Sequence, residues 1–283
     1  MGNEKKEEKE KLTIEEIENL EYYDFMAHMN APFFNLGGFS SLDQTAEMCK
    51  ISEGKRVLSV GCGTGTNSIY LAKNFDCYVV GVDIAEGMIL KAEENAEKEE
   101  ITGQVEFKVG DAYDLQFEDN SFDVVITSFV SQFLDLKKAF KEFLRVIKPS
   151  GYLGINEMYK SDEIPEIVAE KIEEGVNSLR DATELPLTLY TPTYWKKAFE
   201  EASLIDIKLE ELPYKNISMK QLIKDIGGFK YLLKVLGRII KYAWKSKKLR
   251  KRIGLLSKAK KKLFRNKEAK KYIGCVLCVG KKP

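Results

Sequence analysis

The chain has 283 residues, 44% hydrophobic and 11% aromatic, enough to bury a core in one α/β domain with insertions. It has no uninterrupted apolar run of roughly 18 residues, which excludes a simple membrane-spanning helix. The net charge of +1 hides an asymmetry: residues 215–273 carry 21 Lys and Arg against 2 acids, so the preceding body is strongly acidic.

Residues 1–11 are almost all Glu and Lys, without the apolar stretch of a secretory signal. The five cysteines (Cys49, Cys62, Cys77, Cys275, Cys278) are odd in number and sit among apolar residues. Reduced thiols in a cytoplasmic protein are therefore expected. Cys275 and Cys278 form a C-x-x-C pair, but on a strand positions i and i+3 face opposite sides, so no metal site is expected there.

Residues 4–20 read as a charged amphipathic helix with Leu12, Ile14, Ile17 and Leu20 on one side. An aromatic segment follows (Tyr22, Phe25, Phe33, Phe34, Phe39), and helical spacing resumes at Leu42, Thr45, Ala46 and Cys49. Apolar runs then recur at 56–60, 78–82, 105–109, 122–127 and 152–156. Helical stretches at 67–74, 86–98 and 136–146 separate most of them, and residues 148–151 form a turn before the last. This alternation predicts crossover connections and a parallel sheet covered on both faces.

After residue 160 the period breaks. Helices are expected at 163–179 and 194–202, a loop at 186–192, and strands at 205–212 and 272–279. The predicted fold is α/β, a Rossmann-like, doubly wound, mostly parallel seven-stranded sheet with helical lid and insert elements. Its parts are an N-terminal helical lid and cap (1–50), a core (51–160), a helical substrate insert with the sixth strand (161–214), a basic helical insertion (215–271) and the last strand (272–283).

The strongest candidate site is the glycine loop Val60-Gly61-Cys62-Gly63-Thr64-Gly65, where a strand runs directly into a helix. Glycines there let a ligand approach the backbone closely. The dinucleotide pattern G-x-G-x-x-G needs glycine at position 66, which is Thr66, so a nicotinamide-dependent dehydrogenase is disfavoured. No G-K-[ST] ending follows, so a triphosphate-binding loop is excluded. Asp83 ends the second strand about 20 residues on, where a carboxylate can accept both ribose hydroxyls or merely cap a helix. Gly110-Asp111-Ala112 follows the third strand, where a carboxylate suits the exocyclic amine of adenine. Ser128-Phe129 closes the fourth.

In this order the segments VLSVGCGTG, VVGVD, GDA, FEDNSFDVVI and the E-x-x-R-V-I-K-P-S-G at 142–151 resemble the class I methyltransferases that use S-adenosylmethionine (SAM), particularly the ubiquinone and menaquinone branch. The resemblance is tight over 57–151 and loose over 20–212. It implies SAM as cofactor and S-adenosylhomocysteine as product. It places Gly61, Cys62, Gly63, Gly65 and Asn67 around the methionine half, Asp83 on the ribose, Ile84 and Met88 beside adenine, and Asp111 with Ala112 at its edge. Ser128 and Phe129 would stand beside the sulfonium. Two departures stand out: Ser59 where the family has an acid, and Gln132 and Phe133 where relatives carry histidine.

Methyl transfer needs little acid–base machinery. Candidate bases are Glu157 at the end of the fifth strand, and Tyr23 and His28 on the segment that folds over the cofactor in relatives. His28 is the one histidine, for which a packing role competes with catalysis. Tyr22, Gln132, Tyr190 and Trp195 are candidate substrate contacts, with a satellite core as the alternative for the last two. Residues 229–252 form a cationic amphipathic helical stretch, open to three readings: packing against the acidic body, contact with an anionic membrane surface, or contact with RNA. The expected function is methyl transfer from SAM to a small or lipid-like acceptor. The competing possibility is a catalytically inactive protein of the same fold that binds membrane or RNA.

Overall fold

Apolar runs rich in valine and isoleucine, the first three ending at Gly or Asp, build much of the parallel part of the sheet: β1 (Arg56–Val60), β2 (Tyr78–Asp83), β3 (Val105–Val109), β4 (Phe122–Ser128) and the longer β5 (Ile147–Lys160). With β6 (Ile205–Pro213) and β7 (Ile273–Lys281) they form one seven-stranded sheet in the order β3-β2-β1-β4-β5-β7-β6. β7 alone runs antiparallel to its neighbours β5 and β6. The computed structural model describes residues 12–30 and 36–283. The Glu/Lys tract of residues 1–11 and the aromatic pair Phe33 and Phe34 lie outside these.

Along the central strands successive side chains enter opposite cores, as the two-residue period requires. Val57, Val79, Val124 and Ile126 pack with α3 (Gly38–Met48), α4 (Thr66–Phe75) and α5 (Glu86–Lys98) through Leu42, Ala46, Leu71, Ala72, Ile89 and Ala92. Leu58, Val80 and Val125 pack on the other face against α6 (Leu136–Val146) and α8 (Pro192–Glu201), through Phe140, Phe143, Trp195 and Phe199. Residues 38–48, expected in the cap, therefore belong to a core layer.

β5 is longer at both ends than the predicted 152–156. Its early residues cross the Lys148-Pro149-Ser150-Gly151 turn as an irregularity inside one strand, where the register shifts opposite Phe122 and Val124. Its late residues are extended by β7, with Asn156 opposite Leu277 and Lys160 opposite Ile273. α7 (Glu166–Thr183) begins after Pro165 rather than at 163, and α8 begins on Pro192, a proline in the first turn capped by Thr191.

Between β6 and β7 the basic segment folds as α9 (Met219–Asp225), α10 (Gly228–Lys245) and α11 (Lys247–Leu263). α11 packs along α7 through Leu263, beside Ile172 and Val176. α10 and α11 also meet the N-terminal helices. α1 (Ile14–Asn19) starts at a reciprocal cap between Thr13 and Glu16, and α2 (Tyr22–His28) follows it. Ile17, Phe25, Met29, Val235 and Leu249 make a small shared core. Arg252 donates to the carbonyl of Leu20 at 3.0 Å. Among the described residues no helix is long and apolar enough to cross a membrane.

Candidate cofactor and acceptor site

The strand order reverses on either side of β1, so β1 and β4 diverge in their onward connections and leave a crevice at their carboxyl ends. A cavity of about 370 Å³ occupies that place. Gly61, Cys62, Gly63 and Asn67 form one wall, Asp83, Ile84 and Met88 a second, and Gly110 to Tyr113 a third. Ser128, Phe129, Val130, Phe133 and Leu134 come from the end of β4 and the turn after it. Tyr23 of α2 and the pair Leu185-Pro186 after α7 close the remaining sides.

The glycine bend depends on its sequence. Gly61 has φ +66°, and a Cβ there would lie 2.2 Å from Cγ2 of Val130. Gly63 is also left-handed, at φ +54°. Gly65 does not reach the cavity wall. At φ +76° it caps α4, and its missing Cβ makes room for Phe107 at 2.7 Å, so its function is helix packing.

Asp83 joins the first two walls. Its Oδ2 accepts the amide of Gly63 at 2.8 Å and its Oδ1 accepts the amide of Ala85 at 3.0 Å. The second bond is an Asx turn, two residues long, while the helix cap itself is Ala85. Burial raises the Asp83 pKa, and the amides of Ala85 and Gly63 pull against that rise. Each oxygen keeps a lone-pair direction for a ligand hydroxyl. Asp111 accepts the amide of Tyr113 at 2.9 Å, and Ile84 stands 67% exposed at the cavity while Met88 is fully buried. Phe129 is held at φ +61°, an unfavourable backbone for a bulky residue, and its amide bonds to the carbonyl of Asn156 at 3.0 Å.

The other predicted side chains lie elsewhere. Glu157 is fully buried beneath the turn after β4 and off the cavity wall. Its Oε1 accepts the amides of Val130 and Ser131 at 3.0 and 2.8 Å and the Thr127 hydroxyl at 3.1 Å. Burial pushes its pKa up to about 7. It supports the turn and does not itself line the cavity. His28 is also off the wall, with Nε2 3.1 Å from the Tyr242 hydroxyl, and burial lowers its pKa. Of the adjacent pair on α2, Tyr23 lines the cavity and Tyr22 does not, their rings 5.4 Å apart.

Gln132 is buried within the turn, and its carbonyl accepts the amide of Thr188 at 2.9 Å, tethering the insert. Tyr190 and Trp195 form no substrate wall. Trp195 is fully buried on the core-facing side of α8, and Tyr190 stacks on Tyr194 with ring centres 4.3 Å apart. α8 covers the β6–β7 edge of the sheet, so its aromatics join the core. Ser59, at the family's acidic position, is nearly buried in β1 and off the wall. Tyr113, Val130, Leu134, Leu185 and Pro186 are wall residues that the sequence did not announce. The apolar pair Leu185-Pro186 inside a loop was the available hint.

Residues 51–203 match a family of proteins described as a methyltransferase domain. An uncharacterized protein of Haemophilus influenzae is 30% identical over 210 residues, covering 73% of this chain and 81% of that protein. Phosphoethanolamine N-methyltransferase 3 of Arabidopsis thaliana is 34% identical over 134 residues, 47% of this chain and 27% of the plant enzyme. A sterol 24-C-methyltransferase of Aspergillus fumigatus is 36% identical over 118 residues, 41% of this chain and 31% of that enzyme. The chain thus spans about a third or less of the length of these two named enzymes. Among solved structures, Haemonchus contortus phosphoethanolamine N-methyltransferase 2 in complex with S-adenosyl-L-methionine superposes with a TM-score of 0.63 at 24% identity, over 97% of this chain and 61% of that one. The [4+2]-cyclase SpnF superposes at 0.64 with 20% identity, over 86% and 80%. Similarity at this level speaks to the fold alone.

Proposed function

The chain belongs to the class I SAM-dependent methyltransferases, and on that footing we propose that it methylates a small or lipid-like acceptor carrying no phosphate, by in-line transfer. The observation that carries this reading is the charge of the cavity wall. Among the described residues its ionisable groups are the carboxylates of Asp83 and Asp111, the thiol of Cys62 and the phenols of Tyr23 and Tyr113, with no Lys, Arg or His.

The residues fit the cofactor. A left-handed glycine bend that tolerates no Cβ, a buried carboxylate tied to that bend, and an exposed Ile84 beside Met88 suit an adenosyl group joined to an amino acid. Asp83 would hold the ribose, Ile84 and Met88 the adenine faces, and Gly61 to Gly63 the amino-acid half. When bound, SAM supplies a methyl carbon on a sulfonium, which bonds to the acceptor as the carbon–sulfur bond breaks and sulfur keeps the electron pair.

The chain's own part is to orient and to exclude water. Tyr23, Phe129, Phe133, Leu134, Leu185 and Pro186 give the acceptor side an apolar lining. Positioning of this kind is worth roughly 7–11 kcal/mol. An apolar wall also disfavours an ammonium ion, so an amine acceptor would enter with its lone pair free and need no protein base. A phosphate-bearing acceptor would meet this apolar lining and no cation, a poor match. The test is release of S-adenosylhomocysteine across a panel of sterol-like, quinol, amine and phosphobase acceptors. Turnover is expected with uncharged apolar acceptors. Turnover confined to phosphate-bearing ones would overturn the proposal.

A further inference from the structure

α10 has two faces. The inner face rests on the N-terminal helices: Val235 is buried with Ile17, Phe25 and Met29, and Tyr231 and Arg238 donate to the carbonyls of Asn30 and Met29 at 2.8 and 2.9 Å. The outer face carries Phe229, Leu233, Leu236, Ile240 and Trp244, exposed from 43% at Leu236 to 82% at Trp244. At 100° per residue these five fall within an arc of roughly 80°, in a stripe about 22 Å long. Single exposed apolar residues are ordinary, but a contiguous row of five marks a surface that meets something.

The charge beside the stripe says what. Lys230, Lys234, Lys241 and Lys245 are all exposed and lie in the next arc of the same helix. α10 has no acidic residue, and the whole 215–273 segment has 2 acids against 21 basic residues. An apolar row bordered by a row of ammonium groups matches the boundary between acyl chains and anionic headgroups. RNA would satisfy the lysines but leave Leu233, Leu236 and Ile240 in water, since only two of the five are aromatic and able to stack. A second copy paired antiparallel across the stripe would bring two lysine rows together.

We propose that the outer face of α10 docks on an anionic lipid bilayer, with the stripe at the acyl boundary and the lysines on lipid phosphates. Docking does not depend on methyl transfer, so either proposal can fail alone. It would also hold the membrane against the helix that braces α2, whose Tyr23 lines the cavity.

The test mixes the full chain with phosphatidylcholine vesicles, with and without phosphatidylglycerol, and follows co-sedimentation and tryptophan emission. Trp195 is buried, so a blue shift reports Trp244. The expected result is partitioning more than about tenfold stronger on the anionic vesicles, weakened by salt. A variant carrying Leu233→Glu and Ile240→Glu, with unchanged cofactor binding as its check on folding, should lose that partitioning by about tenfold or more. Equal partitioning into both vesicle types, or none, overturns the proposal without recourse to any variant. Retained binding by the variant does the same. Self-association abolished by the variant, in the absence of vesicle binding, assigns the stripe to a second copy instead.

Discussion

The Oε1 atom of Glu157 accepts the amide hydrogen of Ser131 at 2.8 Å, which pins β5 to the turn that shapes one side of the cavity. Thr127 and Val130 donate to the same oxygen, while Oε2 has no partner. A carboxyl so placed has lost its water without gaining a cation, and burial outweighs the hydrogen bonds it accepts.

That imbalance predicts a pH dependence. The pKa of Glu157 is about 7 in the folded chain against an ordinary 4.5, so between those values the native state binds more protons than the unfolded one. Its contribution to stability is fully present below the unfolded value and is lost as pH rises through about 7, by ~3 kcal/mol in all. His28 acts in the opposite sense, because its lowered pKa adds stability as pH rises. The readout is therefore the difference in unfolding free energy between wild type and Glu157→Gln, whose amide oxygen can still accept. That difference should shift toward the variant by ~3 kcal/mol between pH 5 and 8, measured in urea. A constant difference would mean that Glu157 is already ionised in the native state.

The glycine bend makes a second, local prediction. Gly61→Ala places a Cβ against Val130 at 2.2 Å on a backbone with φ +66°. The left-handed conformation costs an alanine about 1 kcal/mol and the overpacking about 1–3 kcal/mol more. Adding Val130→Ala should recover the packing part and leave the backbone part. A double-mutant cycle should give a coupling of about 1 kcal/mol or more; additive effects would place the strain elsewhere.

The parallel core was legible because buried strands write their own signature. The runs at 56–60 and 105–109 match β1 and β3, and the helical periods at 86–98 and 136–146 match α5 and α6. The glycine bend and Asp83 were legible too, since a strand that runs through Gly61 to Gly65 into a helix leaves few backbone alternatives. What failed were inferences about where a side chain points. A place near a strand end makes Glu157 a candidate base, but β7 extends β5 beyond it and the turn after β4 folds over its carboxyl. For Trp195 and Tyr190 the sequence leaves a substrate wall and a satellite core both open, and the packing of α8 on the sheet edge takes them into the core. Leu185 and Pro186 were invisible because their contribution depends on the tertiary path of α7 and the Gln132–Thr188 tether.

Asp83 offers the most direct check on the cofactor site. Asp83→Ala removes the acceptor proposed for the ribose hydroxyls together with the anchor of the Gly63 amide. Hydrogen bonds to a charged group are worth about 1.5–3 kcal/mol, so affinity for S-adenosylhomocysteine should fall roughly 10- to 100-fold by calorimetry. Asp83→Asn keeps one oxygen for the backbone and should lose less. Asp111→Asn, more exposed, should lose least. An Asp83→Ala protein that is folded and binds with unchanged affinity would detach the ribose from this position.

The charge of the wall can be changed by one substitution away from the glycine bend. Leu185 lies on the insert side of the cavity, and Leu185→Arg would bring a guanidinium to a lining that has no cation among its described residues. If absence of positive charge is what rejects phosphate, the variant should raise turnover of a phosphobase relative to an uncharged acceptor by about tenfold, the worth of one charge-assisted hydrogen bond. Affinity for S-adenosylhomocysteine should stay within about twofold, because Asp83 and the glycine bend are untouched. A parallel fall for both acceptors would show steric blockage rather than a change of selectivity. An unchanged ratio at full activity would mean that acceptors are sorted somewhere other than this wall.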